Sequence, residues 1–425
     1  MEYNTIFFGD VAKIKNGYAF KSKEFQEKGI PVIKIKNIIS PIVDTKDSQK
    51  VSIKTYEKTK GFSLKKNDIL ISLTGSGVNQ MSSAVGKVGR IEFDYPALQN
   101  QRVGKFELKY SNSADLDFLF YYFLQPKITE YLVRNSTGSA NQANINSKLI
   151  ETVKIPNFSL IKQKSISKFL NQITRKIETN QKMIANLEEL SQTLFKHWFV
   201  DFEFPDEDGN PYKSSGGEMI DSELGEIPPD WKVGVLSDMT EIIMGQSPKS
   251  DTYNNNKVGL PLLNGASDFK NRNIKPTKYT SAPKKIGHNL DYVFGVRATI
   301  GLVTELDGEY AIGRGAGLSK NNEENREFIY EILNQAFTYF ERIGSGSVYI
   351  NISSKDLKQY KLIIPSKQVL MKYHYQLEPI FSELHNRKEQ ITSLTNLRDT
   401  LLPKLMSGEL EIPDDIEVNI DEFSI

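Results

Sequence analysis

The sequence predicts an α+β protein: two mixed α/β domains in tandem repeat, separated by two long antiparallel coiled-coil helices. Three observations predict this. One order of short segments occurs twice, each copy closes in a heptad helix, and charge is segregated along the chain. A length of 425 residues exceeds the size at which one hydrophobic core usually stops growing. Apolar residues at 39% and aromatics at 10% suffice for two cores and argue against wholesale disorder.

The first copy opens with Phe8-Gly-Asp-Val-Ala-Lys-Ile-Lys-Asn-Gly17 and the second with Leu236-Ser-Asp-Met-Thr-Glu-Ile-Ile-Met-Gly245. A short apolar strand follows a proline in each, Pro31–Asn37 and Pro261–Gly265. β-rich stretches with glycine turns come next, Asp68–Gly75 and Tyr292–Gly301. Apolar helical segments follow at 116–133 and 327–342, then Gly/Ser loops at Thr137–Ser139 and Gly344–Ser347. The copies close alike, Ile145-Asn-Ser-Lys-Leu149 up to Pro156 and Ile352-Ser-Ser-Lys-Asp-Leu357 up to Pro365. Lys148 and Lys355 lie 207 apart and the two prolines 209 apart. Agreement in order and spacing is the mark of a duplication.

Each copy ends in a heptad run. In the first, Ile166, Leu170, Ile173, Ile177, Asn180, Ile184, Leu187, Ser191, Leu194 and Trp198 recur at steps of four and three. In the second, Leu377, Ile380, Leu384, Arg387, Ile391, Leu394, Arg398, Leu401 and Leu405 do the same. This 3.5-residue period marks a coiled-coil seam, and its polar members (Asn180, Arg387, Arg398) tend to fix register or partner choice. The simplest burial for two such seams is against each other. A segment of about 36 residues rising 1.5 Å each is roughly 54 Å long, so an antiparallel pair would serve as a rigid spacer. Pro403 is expected to end or kink the second helix.

The formal net charge of +1 conceals segregation. Residues 1–200 carry 30 Lys/Arg against 18 Asp/Glu, a net of +12, and residues 231–408 carry 23 against 18, a net of +5. Residues 201–230 and 409–425 are acidic, at net −9 and −7. Two basic bodies are the electrostatic footprint of polyanion binding. The acidic stretch from Asp201 to Asp230 holds Pro205, Gly209, Pro211, Gly216, Gly217, Pro228 and Pro229 and reads as an exposed connector. The expected division is a first domain at 1–158, a helix at 159–200, an acidic linker at 201–230, a second domain at 231–365, a second helix at 366–407 and an acidic tail at 408–425. No apolar run reaches the length needed to cross a bilayer, and Met1 opens a polar segment unlike a signal peptide. With no cysteine there is no disulfide or thiolate zinc site. A cytoplasmic protein is expected.

Three segments carry a family resemblance: Leu194-Phe-Lys-His-Trp-Phe-Val-Asp-Phe-Glu-Phe-Pro205, Gly225-Glu-Ile-Pro-Pro-Asp-Trp-Lys232 and Leu397-Arg-Asp-Thr-Leu-Leu-Pro-Lys-Leu-Met-Ser-Gly-Glu-Leu410. With the layout of nearly the whole chain, they resemble the specificity subunits of type I restriction-modification systems. The resemblance implies two target-recognition domains, each reading half of a gapped double-stranded DNA site. It further implies two modification subunits docked on the helices, which methylate adenine with S-adenosylmethionine, and restriction subunits driven by ATP and Mg. No cofactor is expected in this chain itself.

Base edges are read by Arg or Lys on guanine and by Asn or Gln on adenine, whereas lysines and small hydroxyls near glycines grip phosphates. In the first domain the candidates are Lys34, Lys36 and Asn37 after a strand, Thr74 and Ser76 in a glycine loop, the cluster Gln99, Asn100, Gln101 and Arg102, and the pair Asn141 and Gln142. In the second they are Asn264, Asn271, Arg272, Asn273, Lys275, Arg297, Arg314, Ser345 and Ser347. Asn, Gly and Ser also favour turns for backbone reasons, so the clusters around Gln101 and Arg272 are the sharpest. Their difference predicts two different half-targets.

A catalytic constellation is not found. Ile227-Pro-Pro-Asp-Trp231 has the wrong first and fourth residues for the Asn/Asp-Pro-Pro-aromatic turn of an amino-methyltransferase. Gly313-Arg-Gly-Ala-Gly317 lacks the helix-opening context of a cofactor loop, and a Gly-Lys-Ser/Thr phosphate loop is wanting. Asp206, Glu207 and Asp208 read as a solvated charge run, and the four histidines, His197, His288, His374 and His385, are scattered. The competing reading is a coiled-coil scaffold protein that reads no DNA sequence.

Overall fold

A computed structural model describes residues 4–76, 85–139, 142–297, 299–322, 324–344 and 352–412. Two compact units emerge, Met1–Asn180 with Glu389–Ile425, and Gln181–Lys388. Each takes one sheet-rich body together with half of each long helix.

In the first unit, strand Val103–Leu108 pairs on one side with Ala12–Asn16 and on the other with Ile69–Ser72, both antiparallel. Strand Ala97–Gln99 runs parallel to Ile30–Ile33. In the second unit one eleven-residue strand, Tyr310–Lys320, does both jobs. Its N-terminal half runs parallel to Leu260–Gly265, and its C-terminal half pairs antiparallel with Glu241–Met244 and Tyr292–Arg297. The duplication thus holds for these central strands. The helical segments 116–133 and 327–342 become Leu116–Leu124 followed by Pro126–Arg134, and Arg326–Gly344. Proline at the first helical position starts a new helix rather than extending the old one, which accounts for the break in the first copy.

The matching ends have matching caps. Asn146 Oδ1 accepts from Leu149 N at 2.9 Å to open Ser147–Glu151. Ser353 Oγ accepts from Asp356 N at 3.2 Å to open Ser354–Lys358. Such caps satisfy donors that a helix start leaves bare. Strands Lys154–Pro156 and Lys361–Ile364 then pair antiparallel with the first strands of their own units.

The long helices span Leu160–Phe195 and Lys367–Ser407, the first closing in a π-helical turn, Lys196–Val200. Within the first unit, Ile166 and Leu170 share a core with Leu402, Leu405 and Met406, whereas Ile173 and Ile177 pack with Leu394. Asn180 Nδ2 then donates to Gln390 Oε1 at 3.1 Å. As one number rises the other falls, so the halves run antiparallel. Within the second unit the rule persists, with Trp198 against Tyr373 at 5.4 Å between ring centroids and Phe195 in one core with Leu377 and Phe381. Ile166, Leu170, Ile173, Ile177, Leu377, Leu384, Leu394 and Leu405 of the expected seam are buried. Ile184, Leu187, Leu194, Ile380, Ile391 and Leu401 are half-buried.

Pro403 does not end the second helix, which runs through to Ser407; burial of Leu402, Leu405 and Met406 offsets the one hydrogen bond a proline removes. It stops where Gly408 adopts φ +71°, the left-handed cap that glycine takes without strain. The acidic stretch after Asp201 is largely exposed but carries a few buried anchors. Phe202, Phe204, Ile227 and Trp231 are buried with Trp198 and Phe199, and Phe204 stacks between Tyr212 at 4.6 Å and Trp231 at 5.0 Å. Its aromatic residues anchor it while its carboxylates stay in water.

Candidate nucleic-acid interface

At one edge of the first unit, strand ends converge. Tyr18 N donates to Gln99 O and Gln101 N to Tyr18 O, both at 2.9 Å, while Asn100 N reaches Ile33 O at 3.1 Å. Leu73 N donates to Arg102 O at 3.0 Å, Ile145 N to Leu73 O at 2.9 Å, and Thr74 pairs across from Asn144. Segments far apart in the chain therefore meet, held by backbone bonds that leave side chains available. Lys36, Gln101, Arg102 and Gln142 are exposed there, and Lys34, Thr74 and Ser76 are half-buried.

Three candidates, Gln99, Asn37 and Asn100, are buried and build the edge from inside. Gln99 is fully buried, and its Nε2 donates to Lys15 O at 2.7 Å and Val103 O at 2.8 Å. Asn37 is buried, accepting from Lys34 N and donating to Asp44 O, each at 2.9 Å. Asn100 is buried, and its Oδ1 takes Arg102 N at 3.3 Å. Short polar side chains imitate backbone partners in turns, which pulls these amides inward. Lys34 bends over the Phe25 ring at 4.1 Å and donates to Gln49 Oε1; burial, then Lys36, holds its ammonium below the usual lysine range. Asn141 lies outside the described residues.

The second unit repeats the edge with other side chains. Gly245 N donates to Ala316 O and Gln246 N to Ile312 O, both at 2.9 Å. Ser247 Oγ lies 3.5 Å from Asn264 Oδ1 and accepts from Arg314 N at 3.4 Å. Asn264 and Arg314 are exposed, as are Asn273 and Lys275 on the adjoining loop and Arg297 at the end of its strand. Asp268 braces that loop: its Oδ2 accepts Asn264 N at 2.7 Å and its carbonyl accepts Lys275 N at 2.6 Å. Burial raises the Asp268 carboxyl, against the backbone donors that lower it. Arg272 faces inward, paired with Glu188 on the first long helix and lying 5.5 Å from the Tyr330 ring. Ser345 and Ser347 lie outside the described residues, and nothing is described of the Asn271 side chain.

Strand register makes the two edges comparable residue by residue. Ile33 lies opposite Gln99 as Leu263 lies opposite Ile312; Lys34 and Gln101 follow the first pair as Asn264 and Arg314 follow the second, where the register then shifts before Gly265. Gly17 corresponds to Gly245, and both are needed for close approach. A Cβ at Gly17 would stand 2.2 Å from Asn100 O, and one at Gly245 would stand 2.2 Å from Gly313 O. Sequence reasoning missed Asn16, Tyr18, Gln246 and Ser247, which flank these glycines at the edge. The signal was the repeated glycine itself.

No group of three or more His, Asp or Glu placed to hold a metal occurs among the described residues. Nor is any described helix long and apolar enough to cross a membrane.

A duplicated pair of α/β bodies on halves of two antiparallel helices, each with a polar strand-end edge, defines a class of two-domain recognition protein. Residues 1–189 and 228–392 match the type I restriction modification DNA specificity domain, and the chain belongs to that family. It is 29% identical over 412 residues to the provisionally named MjaX type I restriction enzyme specificity subunit of Methanocaldococcus jannaschii, covering 94% of this chain and 91% of that one. The HindI specificity subunit of Haemophilus influenzae is 23% identical over 358 residues, covering 69% of this chain and 77% of that one. The fold is similar to the crystal structure of a type I restriction-modification S subunit from M. genitalium, at a TM-score of 0.60 and 17% identity over 96% of each chain.

Proposed function

We propose that this chain is the DNA-reading subunit of a type I restriction-modification complex and catalyses no reaction itself. The edge of the first unit reads one half of a two-part target and the edge of the second reads the other. The observation that carries this reading is the equivalence of the edges: one backbone frame presents Lys34 and Gln101 in one unit, Asn264 and Arg314 in the other. Similar scaffolds with different donors and acceptors suit two different base sequences. Two modification subunits carrying S-adenosylmethionine, and restriction subunits using ATP and Mg, complete the complex in this reading.

Methylome sequencing of cells expressing the chain with its modification subunit tests it. Methylated adenines at a two-part motif of fixed gap, lost when the chain is omitted, are expected. A scaffold protein would leave methylation unchanged, and the purified chain would then show no salt-dependent, sequence-selective DNA binding.

A further inference from the structure

Arg272 belongs to the loop that presents Asn264, Asn273 and Lys275, yet its side chain leaves that surface. Its guanidinium donates to Glu188 Oε1 on the long helix, and both side chains are three-quarters buried. The guanidinium carbon lies over the Tyr330 ring at 5.5 Å, and that ring meets Phe381 of the second long helix edge-on at 5.4 Å. Arg272 also holds φ +57°, a left-handed backbone unusual for a long side chain. Such a conformation persists when its surroundings over-determine it, here through the ion pair and the stacked ring.

The first unit has a counterpart. Arg90 lies 5.0 Å from the Phe120 ring, and Phe120 is the fourth residue of Asp117-Phe-Leu-Phe120 as Tyr330 is of Glu327-Phe-Ile-Tyr330. Arg90 Nη1 donates to Asn171 Oδ1 on the long helix at 2.8 Å and to Asp117 Oδ1 at 3.3 Å. Tyr121 OH adds a bond to Asn171 at 2.9 Å. In each unit an arginine from the sheet-bearing body thus stacks on the equivalent aromatic and grips the long helix. A planar guanidinium that can pair and stack at once suits this duty better than an ammonium.

We propose that Arg272, Glu188 and Tyr330 form a positioning clamp that fixes the 264–275 loop on the long helix, so that reading of the second half-site depends on an ion pair made away from DNA. The inference rests on the DNA-reading function proposed above. Arg272 is a positioning residue rather than a base reader, and Glu188, which lies on a helix and in no recognition loop, shares its effect.

The test uses the full-length chain with its modification subunits, in the parent form and as Arg272→Asn, Glu188→Gln and both together. Asn accepts the left-handed backbone, so the first variant removes the clamp while sparing the loop's path. Glu188→Gln keeps shape and removes charge, which guards against a loop variant that fails to fold. Methylome motifs give the readout, with thermal unfolding alongside. Each single variant is expected to relax base preference at one half of the motif by at least tenfold, leaving the other half at parental preference. The double variant should be no worse than the singles, since both remove one interaction. If Glu188→Gln reads both halves like the parent while Arg272→Asn changes one base, Arg272 reads DNA directly and the clamp is wrong. Equal loss at both halves in step with loss of folded protein would reduce it to general stability. A parent chain that directs no two-part methylation would overturn the function itself, an outcome distinct from either.

Discussion

Replacing Gly17 by Ala places a methyl group where backbone already stands. The added Cβ would lie 2.2 Å from Asn100 O, 2.5 Å from Asn100 C and 2.6 Å from Gln99 O, and ordinary contact begins near 3.4 Å. The 99–102 segment must therefore retreat by about 1.2 Å, carrying Gln101 and Arg102 with it. It cannot do so freely, because Gln101 N is bonded to Tyr18 O and Arg102 O to Leu73 N. Overpacking of this kind costs about 1–3 kcal/mol, which for a unit of roughly 200 residues lowers Tm by about 2–12 °C. A good base contact is worth about 1–3 kcal/mol of discrimination, so a displacement of this size should reduce preference at the first half-site by roughly five- to 150-fold. Gly245→Ala meets Gly313 O at the same 2.2 Å and should do this to the other half-site. Binding of each variant to duplexes altered in one half or the other measures both effects. Parental discrimination and unchanged Tm in Gly17→Ala would refute the close-approach reasoning.

Arg102→Ala and Arg314→Ala should each relax one half of the target and leave the other, because the two residues are exposed on different units; uniform weakening on all DNA would recast them as phosphate contacts. Ile177→Ala removes a buried side chain from the cluster with Ile173 and Leu394 and should cost about 2–4 kcal/mol in urea unfolding of the first unit. Polar substitution at Leu394 should act on the same transition, and independent effects of the two sites would contradict their contact. Glu331 is buried, and burial pushes its carboxyl up to about 7, against the hydrogen bond from Ser191 and the charge of Arg272. The folded chain then holds a proton that the unfolded chain releases near pH 4.5, so this group's contribution to stability is full below that pH and is lost as pH rises through about 7. A shift of that size corresponds to at most roughly 3 kcal/mol. Glu331→Gln should flatten that slope in urea midpoints measured between pH 4.5 and 8, and identical slopes would remove Glu331 as its source.

The duplication was legible because both copies keep the same glycines, prolines and helix caps, and each of these punctuates local structure without help from the rest of the chain. Asn146 and Ser353 cap through backbone N–H groups only three residues further along, those of Leu149 and Asp356. The seam residues were legible for the same reason, since the heptad period is local. Loops resisted such reading. Gln99 and Gln101 look alike in sequence, yet one points into the sheet and the other out of it, a choice made by pairing with Ile30–Ile33 more than sixty positions earlier. The anchoring of the acidic stretch was not legible either, because its charge count hides Phe202, Phe204 and Trp231, which share a core with Trp198 and Phe199.

By itself, then, the sequence determined the repeat, the helices with their buried faces, and the basic bodies, since each follows from periodicity, capping or composition over short spans. Only the tertiary structure decided which polar residues of the recognition loops face outward. It set Lys34 against Asn264 and Gln101 against Arg314 as equivalents, and it turned Arg272 from the surface to Glu188. Those outcomes depend on hydrogen bonds and packing between segments far apart in the chain, and no local propensity encodes them.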